Sequence, residues 1–171
     1  YNSLININSV NVTYFDKKIL VPFGEFLPLR DSLNFLEVIA GQNDYSTGKV
    51  ERIINLSDNI SFIPVICYEI VFYWKLLNKL NNESNFIVNI TNDFWFGDYL
   101  GPYQHFYLTK IRAAEFNKPI IRVSNNGISA VIDNNGAVLN KTELNKTQNF
   151  KHKLLFKENN NFVNFHLIFK I

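Results

Sequence analysis

The 171-residue chain contains no methionine and a single cysteine, Cys67. One cysteine excludes an intramolecular disulfide, so a packed core and not a cross-link must hold the fold. It also excludes a paired-cysteine zinc site, and no HExxH or EF-hand spacing occurs. Neither a GxGxxG nor a Walker glycine pattern is present, which removes the usual signatures of dinucleotide and nucleoside triphosphate binding. No apolar run reaches the roughly 18 residues expected of a bilayer-spanning helix. No stretch has the layout of a signal peptide. The formal net charge is only +2, too small to single out a nucleic acid as partner. With Tyr1 as first residue, the missing methionine suggests a fragment of a longer protein or the product of an interrupted gene.

What the chain does have is apolar material. Hydrophobic residues make up 47% of it, far more than a disordered segment carries. At this length one domain is expected, with no linker or internal repeat to divide it. Residues 1–13 alternate weakly and predict an edge strand. Two prolines and a glycine make 14–30 a structured loop. A short helix is expected over 31–39, opened by Asp31 as N-cap, then turns over 41–48. Strands are predicted over 50–56, 60–66, 86–90, 120–123 and 128–132, with a hairpin turn at Asn134-Asn135-Gly136 into 137–139. Apolar spacing predicts helices over 70–80 and 103–116, the second with apolar residues at 103, 106, 107, 111 and 114. Asn117-Lys118-Pro119 ends it. Beyond Lys141 the pattern weakens. Strands alternating with helices argue for an α/β protein with helices layered on sheet.

Four polar clusters fall at the ends of predicted strands: Asp16-Lys17-Lys18 with Glu25; Cys67-Tyr68-Glu69; Asn92-Asp93 with Asp98; and Asn125-Asn126-Gly127. Strand ends that share a rim form sites in layered α/β folds. Cys67 sits where a buried strand turns into a helix, at the positive end of the helix dipole, a place that favours an anion. A thiol, a lysine and carboxylates are the parts of acyl transfer: a sulfur nucleophile, a cation for the oxyanion and a proton carrier. Residue type alone leaves blander roles open. The commoner role of a lone cysteine in apolar context is a small buried hydrophobe, although Glu69, two residues on, calls for a reason to be there. Lys17 and Lys18 are ordinary surface charges on type alone. Glu25 suits a structural bond to backbone N–H as well as catalysis. Asp93 and Asp98 fit the holding of the Trp95-Phe96-Gly97 turn, and His105 fits a surface or capping position. His152 and His166 have no visible partner.

Read in order, the motifs resemble a known family. LVPFGE at 20–25 with Lys17 before it, ICYEIVF at 66–72, TNDFWFGDYLGPYQH at 91–105, IRAAEF at 111–116 and SNNGISAVID at 124–133 are together similar to the nitrilase-like domain of the apolipoprotein N-acyltransferases. These form a branch of the carbon–nitrogen hydrolase superfamily. The resemblance runs from about residue 14 to 138. It implies a nitrilase-like α-β-β-α sandwich, incomplete at the N-terminus, over residues 1–140, and leaves 141–171 as a poorly matching tail. It implies Cys67 as the nucleophile of a thioester acyl-enzyme and Lys17, eight residues before Glu25, as the lysine of a Glu-Lys-Cys triad. The Tyr68 backbone N–H would share the oxyanion with Lys17, while Glu25 and Glu69 support the site. The implied partners are a phospholipid acyl donor and a lipoprotein acceptor, with no cofactor and no nucleic acid. The implied location is the periplasmic side of a bacterial inner membrane, reached through parts outside this chain. The family's general-base glutamate lies upstream, and residues 1–13 hold no acidic residue, so the fragment alone is expected to be inactive. A soluble nitrilase or amidase and a non-catalytic remnant are the alternative readings.

Overall fold

The computed structural model describes residues 1–8, 11–30, 44–72, 74, 76, 84–155 and 162–168. Its centre is a six-stranded mixed sheet: β3 (Ile54–Ser57), β4 (Ile60–Ile66), β5 (Phe86–Thr91), β6 (Ile120–Ser124), β7 (Ala130–Ile132) and β8 (Val138–Lys141), side by side in that order. β4, β5 and β6 run parallel; their neighbours are antiparallel. Parallel pairing puts three loops on one rim. The register Ile66 opposite Ile90 and Thr91 opposite Ser124 brings Cys67, Asn92-Asp93 and Asn125-Asn126-Gly127 to the same edge.

Period-2 alternation sorts the strand residues onto two faces. Ile63, Val65, Ile87, Ile120, Ala130 and Ile132 pack with Ile70, Leu76, Phe106, Ala113 and Phe116 on the side of the helix α1 (Leu100–Phe116). Phe62, Ile66, Phe86, Ile121 and Val131 face the other way and pack with Leu4, Phe15, Ile54 and Leu154. That second face is covered from both ends of the chain. β1 (Ser3–Ile7) and β2 (Val12–Asp16) form one antiparallel hairpin, and β9 (Asn149–Leu155) and β10 (Phe162–Ile168) form another. The expected layering of helix on sheet is therefore present, as an α/β fold with strands on the far side of the sheet.

Several local expectations change. The alternation of residues 1–13 belongs to two strands and not one, because Asn8 folds the chain back: its N–H donates to the Asn11 carbonyl and its side chain accepts from Asn11 N–H. The strand expected over 50–56 begins only at Ile54, since Arg52 turns its side chain inward. The weak tail still forms the β9–β10 hairpin. The helix α1 begins at Leu100, with Pro102 tolerated in its first turn, and ends at Asn117 in the left-handed conformation (φ 49°). Its buried face is not the apolar one read from the sequence. His105, Thr109 and Arg112 point inward beside Phe106, Ala113 and Phe116, while Tyr103 and Tyr107 face solvent. The helix predicted over 31–39 lies outside the described residues. So does most of that over 70–80, where Trp74 and Leu76 are helical. Among the described residues no helix is long and apolar enough to cross a membrane.

Candidate active site

β4 ends at Ile66, and the chain turns at once into a 3-10 helix, Cys67–Val71. Cys67 takes the turn in a left-handed conformation, φ 53°, which costs an L-residue roughly 1 kcal/mol or more. Its side chain is half-buried and its thiol is free. Glu69, two residues on, is fully buried. One carboxylate oxygen accepts the backbone N–H groups of Lys18 and Ile19 at 2.9 and 3.0 Å; the other accepts that of Ile66 at 2.8 Å. Arg52 closes the set with two further bonds, 2.7 and 2.9 Å, and stacks over the Phe15 ring. Burial opposes ionisation of Glu69, yet Arg52 and the backbone donors outweigh it and hold its pKa below the usual carboxylate value. Glu69 is thus the clamp that ties the lysine loop to the cysteine turn.

Lys17 is placed by that loop and is 1% exposed; it is not the solvated charge that residue type suggested. Its ammonium donates to Glu25 at 2.6 Å. Glu25 also accepts from Val21 N–H and from the Asn2 side-chain amide, both at 2.9 Å, so it bridges a cation, its own loop and the residue that leads into β1. Tyr68 packs its ring among Phe72, Phe96 and His105.

Below the cysteine turn lies a cluster that the sequence reading largely missed. Arg122 on β6 is fully buried. It donates to Asp93 at 2.6 Å, to Asn89 Oδ1 at 2.7 Å, and to Thr109 and the Ile128 carbonyl at 3.1 Å each. Asp93 accepts from His105 Nδ1 and from the Ser124 hydroxyl, both at 2.9 Å. Burial works against the charge on Asp93, but His105, Arg122 and Ser124 prevail and bring its pKa to about 2. His105 is buried, not a surface or capping residue. Burial lowers its pKa below the ordinary imidazole value, against the pull of Asp93. With Nδ1 as donor to Asp93, the neutral ring leaves Nε2 without a hydrogen bond of normal geometry, while the nearby Cys67 backbone favours a proton on the ring. Gly127 is required here: a Cβ would come within 2.0 Å of the Asp93 carboxylate and 2.3 Å of the Ser124 hydroxyl. Asp98 stands apart on the surface, bonded to the Asn145 side chain.

The signal for this cluster was in the strands. Asn89 and Arg122 sit within IVNI and IIRV runs of central parallel strands, where both faces are covered and a polar side chain must find a partner. The structure thus ties the left-handed cysteine turn to the loop that carries the buried Lys17, and among the described residues the buried carboxylates Glu69 and Asp93 are each paired with a cation. An open cleft at the far end of β4, lined by Asn55, Asp58 and Ser61, shares no residue with it. Among the described residues no three potential ligands converge as a metal site.

Residues 9–149 match the carbon-nitrogen hydrolase family. The chain belongs to that family. Among curated relatives, this carbon-nitrogen hydrolase chain is 41% identical over 150 residues to an apolipoprotein N-acyltransferase of Allorhizobium ampelinum, covering 85% of the chain and 28% of the relative. It is 40% identical over 149 residues to an apolipoprotein N-acyltransferase of Rickettsia typhi, covering 85% and 30%. The chain thus spans less than a third of the length of these relatives. Its fold resembles part of a glutamine-dependent NAD+ synthetase from Acinetobacter baumannii (TM-score 0.61, 19% identity), over 85% of this chain and 27% of that one.

Proposed function

We propose that this domain carries the acyl-transfer centre of an apolipoprotein N-acyltransferase, with Cys67 as nucleophile. The observation that carries the reading is the conjunction of a left-handed Cys67 at the end of β4 with the Lys17–Glu25 pair, both fastened to Glu69. In the first half-reaction the Cys67 thiolate attacks the ester carbon of a phospholipid acyl chain. A C–S bond forms, the ester C–O bond breaks, and the lysophospholipid leaves as an alcohol on taking a proton. In the second, the α-amine of a lipid-modified N-terminal cysteine attacks the thioester, an amide forms, and the thiol is restored. The Lys17 ammonium and the Tyr68 backbone N–H face the negative charge that develops on the carbonyl oxygen in each step. Glu25 and Glu69 are each occupied by a cation and further hydrogen-bond donors, which supports a proton acceptor outside this pair, the role that the family resemblance gives to an upstream glutamate. The exposed Phe94 and Trp95 beside Phe96 suit an entrance for an acyl chain. The phospholipid donor, the lipoprotein acceptor and a seat at the periplasmic face of an inner membrane all belong to this proposal.

The test grafts residues 1–149 in place of the matching segment of the Rickettsia typhi relative and supplies a phospholipid with a radiolabelled acyl chain. A hydroxylamine-sensitive labelled adduct is expected, and Cys67→Ala abolishes it. Persistence of the adduct in Cys67→Ala would refute Cys67 as nucleophile. Release of free fatty acid with no transfer to an amine would favour a hydrolase, and no adduct in either protein would leave a non-catalytic remnant.

A further inference from the structure

Asn89 is a polar side chain at the centre of β5 that the reaction above does not use. Asn89 is fully buried. Its orientation is dictated: Arg122 donates to Oδ1 at 2.7 Å, so the amide nitrogen must face the other way. There it meets two carbonyl oxygens, those of Val65 at 3.1 Å and Cys67 at 3.5 Å. An amide nitrogen has two hydrogens, one for each. Thr109 and Asp93 hold the far side of Arg122, so a turned amide would set its own N–H groups against the guanidinium donors.

The consequence follows from the peptide bond itself. In a planar trans peptide the carbonyl of one residue and the N–H of the next point in opposite directions. Drawing the Cys67 carbonyl inward to Asn89 therefore turns the Tyr68 N–H outward, away from the buried cluster. The first N–H groups of a helix find no partner within it, and Tyr68 is the second residue of the 3-10 helix Cys67–Val71. We infer that Asn89 is a positioning residue: through the Cys67 carbonyl it sets the direction of the Tyr68 N–H toward the oxyanion of a carbonyl substrate on Cys67. The chain of contacts runs from Asp93 through Arg122 and Asn89 to the Cys67–Tyr68 peptide. This rests on the thioester reading of Cys67 and adds to it the group that orients one of its oxyanion donors.

Two reagents separate this role from general support of the fold. p-Nitrophenyl acetate acylates a thiolate through a tetrahedral oxyanion: the C–S bond forms, the aryl ester bond breaks, and p-nitrophenolate leaves. Iodoacetamide alkylates the same thiolate by direct displacement of iodide, with no oxyanion. Both need the thiolate, so the ratio of the two rates is independent of its population. The measurement uses the full chain at alkaline pH, where solvent takes the thiol proton. Asn89→Asp keeps the shape and the Arg122 contact but loses the donor; Asn89→Ser loses the donor without adding charge. Each is expected to slow the p-nitrophenolate burst on the order of tenfold or more, with alkylation within about twofold of wild type. The ester concentration at half-saturation stays unchanged. A burst equal to wild type in a folded variant, or acylation and alkylation falling together, would overturn the inference. If one variant does not fold, the other decides. Absence of any Cys67-dependent burst in the wild type overturns the thioester reading itself, whereas a wild-type burst indifferent to Asn89 overturns only the positioning role.

Discussion

Glu69 accepts a hydrogen bond from the Lys18 backbone N–H at 2.9 Å, across 51 positions of sequence. That contact fixes the lysine loop on the 3-10 turn that bears Cys67, and Arg52 makes it affordable to bury. Removing one partner of a buried pair typically costs about 3–5 kcal/mol, because the other charge is left uncompensated.

Glu69→Gln should therefore lower stability by about 3 kcal/mol, equivalent to a fall in Tm of roughly 6–12 °C for a domain of this size. Arg52→Met should do much the same. Thermal melts followed by circular dichroism would check this; a Tm within about 2 °C of wild type would mean that the clamp is incidental.

Gly127 and Gly24 form a matched pair. A methyl group at Gly127 collides with Asp93 and Ser124, whereas at Gly24 the nearest atom is 3.6 Å away. Gly127→Ala should destabilise by about 1–3 kcal/mol and disturb the Arg122 cluster. Gly24→Ala should change stability by no more than about 0.5 kcal/mol. Equal denaturant midpoints for the two variants would contradict the crowding.

Acid should unfold the protein in two stages. His105 has a folded pKa below its unfolded value, so the unfolded chain binds the extra proton first; this stability is complete above about pH 6.5 and is lost as pH falls below it. Asp93 drops from 3.8 to about 2; its contribution, on the order of 2 kcal/mol, is present above about pH 4 and disappears as pH falls through about 2. Glu69 shifts in the same direction and acts in the same acid window. Tm measured from pH 8 to pH 3 should decline in both stages, and His105→Gln should remove the first. A flat profile between pH 7 and 5.5 in the wild type would count against a buried neutral His105.

Phe94 and Trp95 are largely exposed, Trp95 at 80%, so replacing both by serine should leave Tm within a degree or two. In the grafted enzyme the double variant should lose transfer from long-chain phospholipid on the order of tenfold, while acylation of Cys67 by p-nitrophenyl acetate stays unchanged. Loss of both activities together would place these rings in the fold and not at the lipid entrance. A flotation assay with phospholipid vesicles would separate binding from chemistry.

Much of the frame was legible because it is local. Residues 60–66 read as a buried strand from an unbroken apolar run, and they are β4. The end of α1 was written in Asn117-Lys118-Pro119. The rim of the site was legible too, since loops after successive parallel strands must meet. The buried polar cluster was not, because its meaning lies in partners far apart in sequence: Arg122 with Asp93 at a separation of 29, and with Asn89 at 33. For the same reason the inner face of α1 was misread. Tyr103 and Tyr107 count as apolar by composition, but part of the space beneath the helix is taken by the Arg122–Asp93 pair, which Thr109 and His105 meet with hydrogen bonds. The turn at Asn8 was hidden by an alternation that continues, out of phase, on its far side.

The left-handed backbone at Cys67 also bears on how the sequence can drift. A β-branched side chain is effectively barred from that angle, so valine, isoleucine and threonine are closed to this position whatever the chain does. Glycine is the residue the backbone prefers there. A cysteine at φ 53° therefore sits against the conformational preference of its own turn, and Cys67→Gly should relieve the backbone there.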